Sequence, residues 1–360
     1  MSKIVLYIGS MQRGGAQRVM SIIASALHEA GHDVTLITDI ASCNNDLEYD
    51  LKPFIHRIPL EVTAHSYLAN NLIRIIRIRR IIKKIEPNCV LSFLAQPNIR
   101  MLIASYGLQC RKIVSVRNDP YHEYGYGVRK RFINILFRLA DALVLQTDTA
   151  GEYFSSAIRK KSIVIPNPIE DYFFKGKWNP NSTSIIAIGR LEAQKNYEML
   201  LKAFSNISRE YPSNRLTILG NGKRMLRLQE LSKKLDIQDR VVFKGVVRDV
   251  RKELEGSLFY VLTSDYEGLP NAMMEAMAVG LPIVATDCPS GGPRFLADDG
   301  KYCKLIPCGN EEMLILAMKE LLSSEEVRER YHMFSKERSQ RFRTEKVERK
   351  WLELILLEGT

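Results

Sequence analysis

The amino-acid sequence predicts an α/β fold with two domains, each built on a parallel sheet. Short apolar runs alternate with amphipathic segments of helix length along most of the chain, which is the pattern of repeated βαβ units. A length of 360 residues exceeds what a single hydrophobic core usually supports. A polar stretch near residues 172–181, with Gly176 and Pro180, separates two halves that repeat the same alternation.

The predicted elements follow in order along the chain. In the first half we predict strands at residues 4–8, 33–38, 89–93, 112–116, 142–146 and 162–165, with helices at 17–30, 68–86 and 128–140. In the second half we predict strands at 184–188, 215–219, 241–244, 258–263 and 281–286, with helices at 197–211, 223–235, 250–254 and within 311–357. We therefore expect one domain over residues 1–175, a second over 176–345 and a separate final helix over 346–360.

Composition excludes several classes of protein. The hydrophobic fraction of 46% and the charged fraction of 26% are those of a soluble globular protein, and no apolar run is long enough to span a membrane. The first ten residues resemble a strand rather than a signal peptide, so we expect a cytoplasmic protein. The six cysteines form no Cys-x-x-Cys pair, so we expect free thiols and neither a metal site nor a disulfide framework.

The net charge of +11 is most concentrated in residues 68–86, where isoleucines recur at helical spacing between lysines and arginines. This pattern predicts a basic amphipathic helix. Such a helix can rest on anionic lipid, and we expect peripheral contact with the inner face of the cell membrane. The alternative is an ordinary surface helix whose apolar stripe faces the core. Because aromatic residues do not alternate with the cations, we expect no nucleic-acid partner.

Residues 264–282 contain the most informative motif, Ser-Asp-Tyr-Glu-Gly-Leu-Pro-Asn followed by an apolar helix. Glu267 should lie in the loop at the carboxyl end of a strand and Glu275 on the helix, with Pro270 in its first turn. Backbone N–H groups at residues 269–273 could bind phosphate, and a buried glutamate accepts hydrogen bonds from hydroxyls. A nucleotide sugar carries both groups. The alternative is that the glutamates only interact with the helix dipole.

Three further loops follow predicted strands. Arg190 and Lys195 together suit a diphosphate, although both could be solvated surface charges. Gly14 and Gly15 allow close approach of the backbone at the start of a helix, or simply form a tight turn. Asn221 lies between two glycines in a turn that is a candidate nucleotide contact.

Together these motifs resemble the retaining glycosyltransferases of family four, which have the GT-B fold. The resemblance covers nearly the whole chain and implies two Rossmann-like domains that face a central cleft, with the last helix crossing back to the first domain. It implies that Glu267 lies near the donor sugar, that Glu275 contacts the ribose, and that Arg190 and Lys195 bind the diphosphate. The donor-binding residues that we expect on this basis are Gly14, Gly15, Arg190, Lys195, Asn221, Val247, Glu267, Gly268, Leu269, Pro270, Asn271 and Glu275.

One departure from the family concerns the segment after the strand at 112–116. Many relatives carry a histidine there, close to the reacting sugar, whereas this chain has Arg117, Asn118 and Asp119 before Pro120. Asp119 could orient an acceptor hydroxyl, or it could only start the turn before Pro120. Arg117 could meet the phosphate or the sugar.

The resemblance implies a retaining transferase that moves a sugar from a nucleotide sugar, expected to be UDP-linked, to a glycan on a lipid carrier. The expected pathway is bacterial surface polysaccharide, such as O-antigen or lipopolysaccharide. We expect Glu267, Arg190, Lys195 and Asp119 to be catalytic, with no metal and no cofactor besides the donor. One alternative is a non-catalytic protein that binds nucleotide sugars or nucleic acid, which the net charge would suit. Another is a sugar-nucleotide epimerase on the same fold.

Overall fold

The apolar runs form two parallel sheets in a computed structural model, which describes residues 1–12, 14–41, 48, 54–63 and 66–357. The strands are β1 (Lys3–Ile8), β2 (Asp33–Thr38), β3 (His56–Pro59), β4 (Cys89–Phe93), β5 (Arg111–Ser115), β6 (Ala142–Leu145), β7 (Ser162–Val164), β8 (Ser184–Ile188), β9 (Arg215–Leu219), β10 (Val241–Gly245), β11 (Phe259–Leu262), β12 (Ile283–Asp287) and β13 (Lys304–Pro307).

Helices connect these strands and cover both faces of each sheet. They are α1 (Gly15–Glu29), α2 (Tyr67–Ile85), α3 (Ala95–Ala104), α4 (Pro120–Tyr124), α5 (Gly127–Leu136), α6 (Ser156–Arg159), α7 (Asp171–Phe174), α8 (Tyr197–Ser208), α9 (Met225–Lys234), α10 (Val250–Glu255), α11 (Asn271–Val279), α12 (Gly292–Ala297), α13 (Glu311–Ser323), α14 (Glu325–Ser339) and α15 (Thr344–Leu356).

The first unit consists of Met1–Pro168 and the chain from Glu345 onward, around a seven-stranded sheet with the order β3-β2-β1-β4-β5-β6-β7. All neighbouring strands are parallel. Side chains alternate between the faces of a strand. In β1, Ile4 and Leu6 pack with α1 and α15, whereas Val5 and Tyr7 pack with α2, α3 and α5. Because both faces are covered, the central strands are almost continuously apolar.

The second unit, Ile169–Thr344, contains a six-stranded parallel sheet with the order β10-β9-β8-β11-β12-β13. Helices α8 and α13 pack on one face, and α11 and α12 pack on the other. Strand β8 lies between β9 and β11, so the connections run in opposite directions on its two sides. Ligands of such sheets bind beside this switch point, at the carboxyl ends of the strands. The loops after β8 and β11 occupy that position.

Several details differ from the sequence prediction. The second unit begins at Ile169 rather than at residue 176, because Ile169 and Phe173 are buried in its core. Strands β3 and β13 were not predicted because they are short, partly exposed edge strands without a long apolar run. Pro270 precedes α11 rather than lying in its first turn.

The final helix packs in the first unit, as the predicted fold requires. Trp351, Leu354 and Ile355 of α15 are buried in the core on the side of α1, and the Trp351 ring lies 5.4 Å from the ring of Phe93 in β4. The Arg111 guanidinium donates hydrogen bonds to backbone carbonyls at the end of α15. The predicted return of the chain to its first domain is therefore confirmed.

Candidate active site

Glu267 follows β11, and its carboxylate is held by neighbouring side chains. Its Oε1 atom forms an ion pair with the Lys195 ammonium and accepts a hydrogen bond of 2.7 Å from the Ser264 hydroxyl. The Ser290 hydroxyl donates to the Glu267 carbonyl. Only 10% of the Glu267 side chain and 14% of the Lys195 side chain are exposed. Because burying a charge is costly without such partners, the arrangement fixes both charges at the switch point of the second sheet.

The loop after β8 packs directly on the segment after β11. The Thr263 hydroxyl donates to the Lys195 carbonyl at 2.8 Å, and the Asp265 N–H donates to the Gln194 carbonyl at 2.8 Å. Asn196 caps α8 through its side chain, and the amide of the same side chain donates to Asp265 Oδ1 at 2.9 Å. These bonds fix the backbone that carries the lysine, so its ammonium is set opposite the glutamate.

Gly292 allows the segments after β11 and β12 to come into backbone contact. A Cβ atom built on Gly292 would lie 1.7 Å from the carbonyl oxygen of Gly268, so only glycine fits at this position. The residues that follow, Leu269 and Pro270, are buried. The Gly-Leu-Pro turn is thus held by backbone packing as well as by side chains.

Helix α11 begins at Asn271 and carries Glu275. Its residues from Met273 to Val279 are all buried, in agreement with its apolar sequence. Pro270, the residue at the N-cap, makes no side-chain hydrogen bond to the first turn. The first N–H groups of such a helix favour an anion. Gly280 ends the helix with a φ of +100°, a conformation that glycine adopts without strain.

The charges of Glu267 and Glu275 both affect the pKa of one buried tyrosine, Tyr260. Burial raises the pKa of Tyr260 in β11, and the charges of Tyr197, Glu267 and Glu275 raise it further. The Tyr260 hydroxyl is buried and has no hydrogen-bond partner in the described part of the chain. Burial also raises the pKa of Tyr197, again with a contribution from Glu267. The two glutamates therefore belong to one acidic region at the end of β11.

Arg190, Asn221 and Val247 lie on the neighbouring strand-end loops of the same sheet. Arg190 is exposed, and its side chain has no ion pair or hydrogen bond to another described residue. The Asn221 carbonyl accepts a hydrogen bond of 2.9 Å from the Leu191 N–H, which joins the two loops. Val247 is half-buried against the core, whereas Val246 is exposed. The structure therefore brings these three predicted contacts to one edge of the sheet.

Gly14 and Gly15 lie at the start of α1, in the first unit. A Cβ atom built on Gly14 would lie 2.5 Å from Gln17 Oε1, so glycine lets this side chain fold back over the start of the helix. Gly14 is the N-cap residue of α1 and has no side chain with which to cap it. The predicted helix start is present, and it belongs to a different unit from the two glutamates.

Asp119 caps α4 at the carboxyl end of β5. Its Oδ1 atom accepts a hydrogen bond of 2.8 Å from the Tyr121 N–H, and its Oδ2 atom lies 3.0 Å from Nδ1 of His122. Both oxygens of this buried carboxylate thus have partners in the helix that it caps. This is the structural role that the sequence offered as an alternative, and a role in orienting an acceptor hydroxyl stays a prediction.

Arg117 is buried beneath the same segment. Its guanidinium donates to Asn167 Oδ1 and lies 4.9 Å from the centre of the Phe93 ring. Burial lowers the pKa of Arg117 to about 9, against the charge of Glu123. Burial and the charge of Asp119 raise the pKa of Glu123 to about 7, against the charge of Arg117. The end of β5 therefore contains a carboxyl group that can hold a proton near neutral pH.

Two negative findings apply only to the described residues. No group of three His, Cys, Asp or Glu side chains there could hold a metal ion. No helix among them is long and apolar enough to cross a membrane. Five cysteines are free thiols there, namely Cys89, Cys110, Cys288, Cys303 and Cys308, while Cys43 lies outside the described residues.

The two serines that hold Glu267 in place were not predicted from the sequence. Ser264 and Ser290 each follow a buried strand, and a hydroxyl residue at that edge of the sheet is a signal that could have identified them. The contact of Gly292, at the start of α12, with the Gly268 carbonyl was not predicted either. Nothing in the sequence identifies Tyr260 as a residue of the site, because a tyrosine in an apolar strand looks like an ordinary core residue.

Each of the two units matches the model of a known protein family. Residues 13–172 match the family model described as Glycosyltransferase Family 4, and residues 168–338 match the model described as Glycosyl transferases group 1. The two matches join end to end and span most of the chain.

Curated and solved proteins resemble the chain over nearly its full length. The amylovoran biosynthesis glycosyltransferase AmsD of Erwinia amylovora is 23% identical over 361 residues, covering 98% of this chain and 99% of that protein. The N-acetylgalactosamine-N,N'-diacetylbacillosaminyl-diphospho-undecaprenol 4-alpha-N-acetylgalactosaminyltransferase of Campylobacter jejuni is 24% identical, covering 99% and 100%. The structure of Anabaena Alr3699/HepE in complex with UDP and glucose has a TM-score of 0.81 at 17% identity, covering 98% and 99%.

Proposed function

Because this chain belongs to the glycosyltransferases of family four and has their GT-B fold, we propose that it transfers a sugar from a nucleotide sugar to a lipid-linked glycan. We propose that the sugar keeps its anomeric configuration, as the family resemblance implies. The observation that carries the proposal is the Lys195–Glu267 ion pair, which lies at the switch point of the second sheet, in the segment that leads into α11.

The charges at this point suit the departure of a nucleoside diphosphate. Negative charge builds up on the diphosphate as its bond to the sugar breaks. Arg190, Lys195 and the N-terminus of α11 would stabilise that charge. In the structure the Lys195 ammonium is paired with Glu267. A diphosphate would compete for this ammonium, and the glutamate could then accept a hydrogen bond from a sugar hydroxyl.

We propose a UDP-linked donor. Support comes from the Anabaena protein of the same fold, which was solved in complex with UDP and glucose. In this chain, Glu275 could accept hydrogen bonds from the ribose hydroxyls, and the loops with Asn221 and Val247 could border the base. The positive charge that a metal ion would supply elsewhere would come from Arg190 and Lys195, so we propose transfer without a metal.

We propose that the acceptor is a growing surface polysaccharide on a lipid carrier, at the cytoplasmic face of the membrane. Support comes from the Campylobacter relative, whose name specifies a diphospho-undecaprenol acceptor, and from the Erwinia relative, whose name specifies amylovoran biosynthesis. The net charge of +11 would favour an anionic membrane surface. On the acceptor side, Asp119 would orient the attacking hydroxyl.

The proposal predicts that Lys195→Ala and Glu267→Ala each lower sugar transfer at least about a hundredfold, because each removes a group that acts on the reacting charges. A thermal-shift screen of nucleotide sugars would first identify the donor. Transfer would then be measured as labelled sugar that moves from this donor into lipid extract from bacterial membranes.

The matched control is Lys202→Ala, which removes an exposed lysine from α8 in the same unit and should leave transfer unchanged. Near-normal turnover in both site variants would contradict the proposal. Conversion of the donor to an isomer in the absence of an acceptor would instead show an epimerase.

A further inference from the structure

Helix α5 of the first unit exposes an apolar stripe to solvent. Val128 is 85% exposed, Phe132 is 53% exposed and Ile135 is 60% exposed. At 3.6 residues per turn, these three side chains point within about 60° of one another. Leu136 and Ile133, which lie about 80° and 140° from Val128 around the helix, are buried in the core. The exposed stripe is therefore additional to the face that packs α5 onto its unit, and contiguous exposed apolar surface of this kind usually marks an interaction site.

Arginines border this stripe on both sides. From the direction of Val128, Arg131 lies about 60° to one side and Arg129 about 100° to the other, and Arg138 follows in the next turn. All three are exposed, and none of their side chains has an ion pair or hydrogen bond to another described residue. Residues 125–140 contain no Asp or Glu. The face therefore combines aliphatic and aromatic surface with uncompensated positive charge.

Helix α2, which the sequence pointed to as the basic helix, is less suited to this role. Three of its cations are used within the unit: Arg74 pairs with Asp39, Arg77 donates to the Leu60 carbonyl, and Arg79 donates to the carbonyls of Ala104 and Tyr106. Its exposed aliphatic side chains, Leu68, Leu72 and Ile76, lie in its first half. Its other exposed cations, Arg80, Lys83 and Lys84, follow in the second half. The charge and the apolar surface are thus separated along α2, whereas they are adjacent on α5.

We propose that α5 binds the surface of an anionic lipid bilayer, with Val128, Phe132 and Ile135 entering the boundary between head groups and acyl chains. Arginines at both borders of the stripe would lie over the lipid phosphates. A nucleic-acid backbone would use the arginines but would gain nothing from the aliphatic side chains between them. The inference deepens the proposed function, because a lipid-linked acceptor would lie in the same bilayer.

The position of α5 in its unit supports this role. It follows α4, whose capping residue Asp119 lies just beyond the carboxyl end of β5. Helix α5 therefore begins at the edge of the first sheet where a ligand of this unit would bind. A bilayer in contact with this helix would bring a lipid-linked acceptor to that edge.

The test is co-sedimentation of the full chain with vesicles of phosphatidylcholine alone and of phosphatidylcholine mixed with phosphatidylglycerol. We expect binding to the mixed vesicles that weakens as salt is added. The combined variant Val128→Ser, Phe132→Ser, Ile135→Ser should bind roughly tenfold more weakly or worse. The variant Arg129→Gln, Arg131→Gln, Arg138→Gln should lose the preference for phosphatidylglycerol. The control Leu68→Ser, Leu72→Ser on α2 should bind as the wild type does.

Three outcomes would overturn the inference: no binding of the wild type to the mixed vesicles, unchanged binding of the serine variant of α5, or loss of binding in the α2 control alone. All substituted positions are exposed, and thermal unfolding would verify that each variant is folded. Lys195→Ala separates this inference from the proposed function, because it should abolish transfer while vesicle binding persists. Loss of vesicle binding in that variant would count against α5 as the contact.

Discussion

At the scale of single residues, Glu123 illustrates how burial sets a charge state. Its Oε2 atom is buried and has no hydrogen-bond partner among the described residues. Burial raises its pKa to about 7, the Asp119 charge adds to the effect and the Arg117 charge opposes it. In the unfolded chain a glutamate has a pKa of about 4.3. The folded protein therefore holds this proton more tightly, and the stability that results is lost as the pH rises through about 7.

This difference predicts that Glu123→Gln changes the pH dependence of stability. Between pH 5 and 8 the wild type should lose on the order of 1–3 kcal/mol relative to the variant, because only the wild type must bury a new negative charge. Arg117 stays mostly charged over this range, since its pKa is lowered only to about 9. Urea unfolding of both proteins at several pH values would measure the effect.

The control for this prediction is Glu152→Gln, which changes an exposed glutamate in the same unit. Its stability should follow the wild type at every pH. A constant difference between Glu123→Gln and the wild type across the pH range would contradict the assignment of the proton to Glu123.

The sequence identified the charged residues of the site but not their partners. Glu267 and Lys195 were found because both follow apolar strands, and the ends of parallel strands meet at one edge of the sheet. Ser264 and Ser290 hold the same glutamate through contacts that depend on loop conformation, which residue periodicity does not record. Both carboxylate oxygens of Asp119 have partners within α4. The sequence alone could not decide between this structural role and the orientation of an acceptor hydroxyl.

At the scale of elements, the site is assembled from loops that touch through their backbones. The close approach of Gly292 to the Gly268 carbonyl joins the start of α12 to the turn after Glu267. Gly292→Ala should therefore destabilise the second unit by at least about 2 kcal/mol and disturb the glutamate, because two backbone segments must move apart. Thermal unfolding and donor binding, each measured on the purified variant, would test both parts.

Gly256→Ala is the matched control in the same unit. It ends α10 with a φ of −80°, and the nearest atom to an added Cβ would lie 3.4 Å away. Alanine should be tolerated there with little change in stability or binding. If the two alanine variants lost the same stability and donor binding, the contact between Gly292 and the Gly268 carbonyl would not explain the effect of Gly292→Ala.

The elements that the sequence predicted well are those buried on both faces. Strands β2, β4, β8 and β9 were predicted with their observed limits, because a central strand of a parallel sheet is an uninterrupted apolar run. The edge strands β3 and β13 were missed, since one side of an edge strand needs no neighbour and tolerates polar residues. The other two edge strands, β7 and β10, were predicted because each contains two consecutive β-branched residues, Ile163 with Val164 and Val241 with Val242.

At the scale of the whole molecule, the repeated alternation of strand and helix was sufficient to predict two parallel sheets. This alternation does not show on which of the two domains the last helix packs. Val347, Trp351, Leu354 and Ile355 recur at helical spacing, which shows that α15 has a buried face but not which core receives it. Only the family resemblance implied the return to the first domain, because the contacts concerned join residues more than two hundred positions apart.

Because α15 fills part of the first unit's core, Trp351→Ala should destabilise that unit by about 3–5 kcal/mol. Trp351→Phe should cost less, since it keeps a ring beside Phe93 and the buried Trp351 Nε1 has no hydrogen-bond partner among the described residues to lose. Hydrogen exchange followed by mass spectrometry would show faster exchange in β1 and β4 of the alanine variant, with β8 and β11 unchanged. Equal acceleration in both sheets would mean that the helix stabilises the chain as one cooperative whole. Selective acceleration would mean that the first sheet reaches full stability only after the last residues of the chain have joined it.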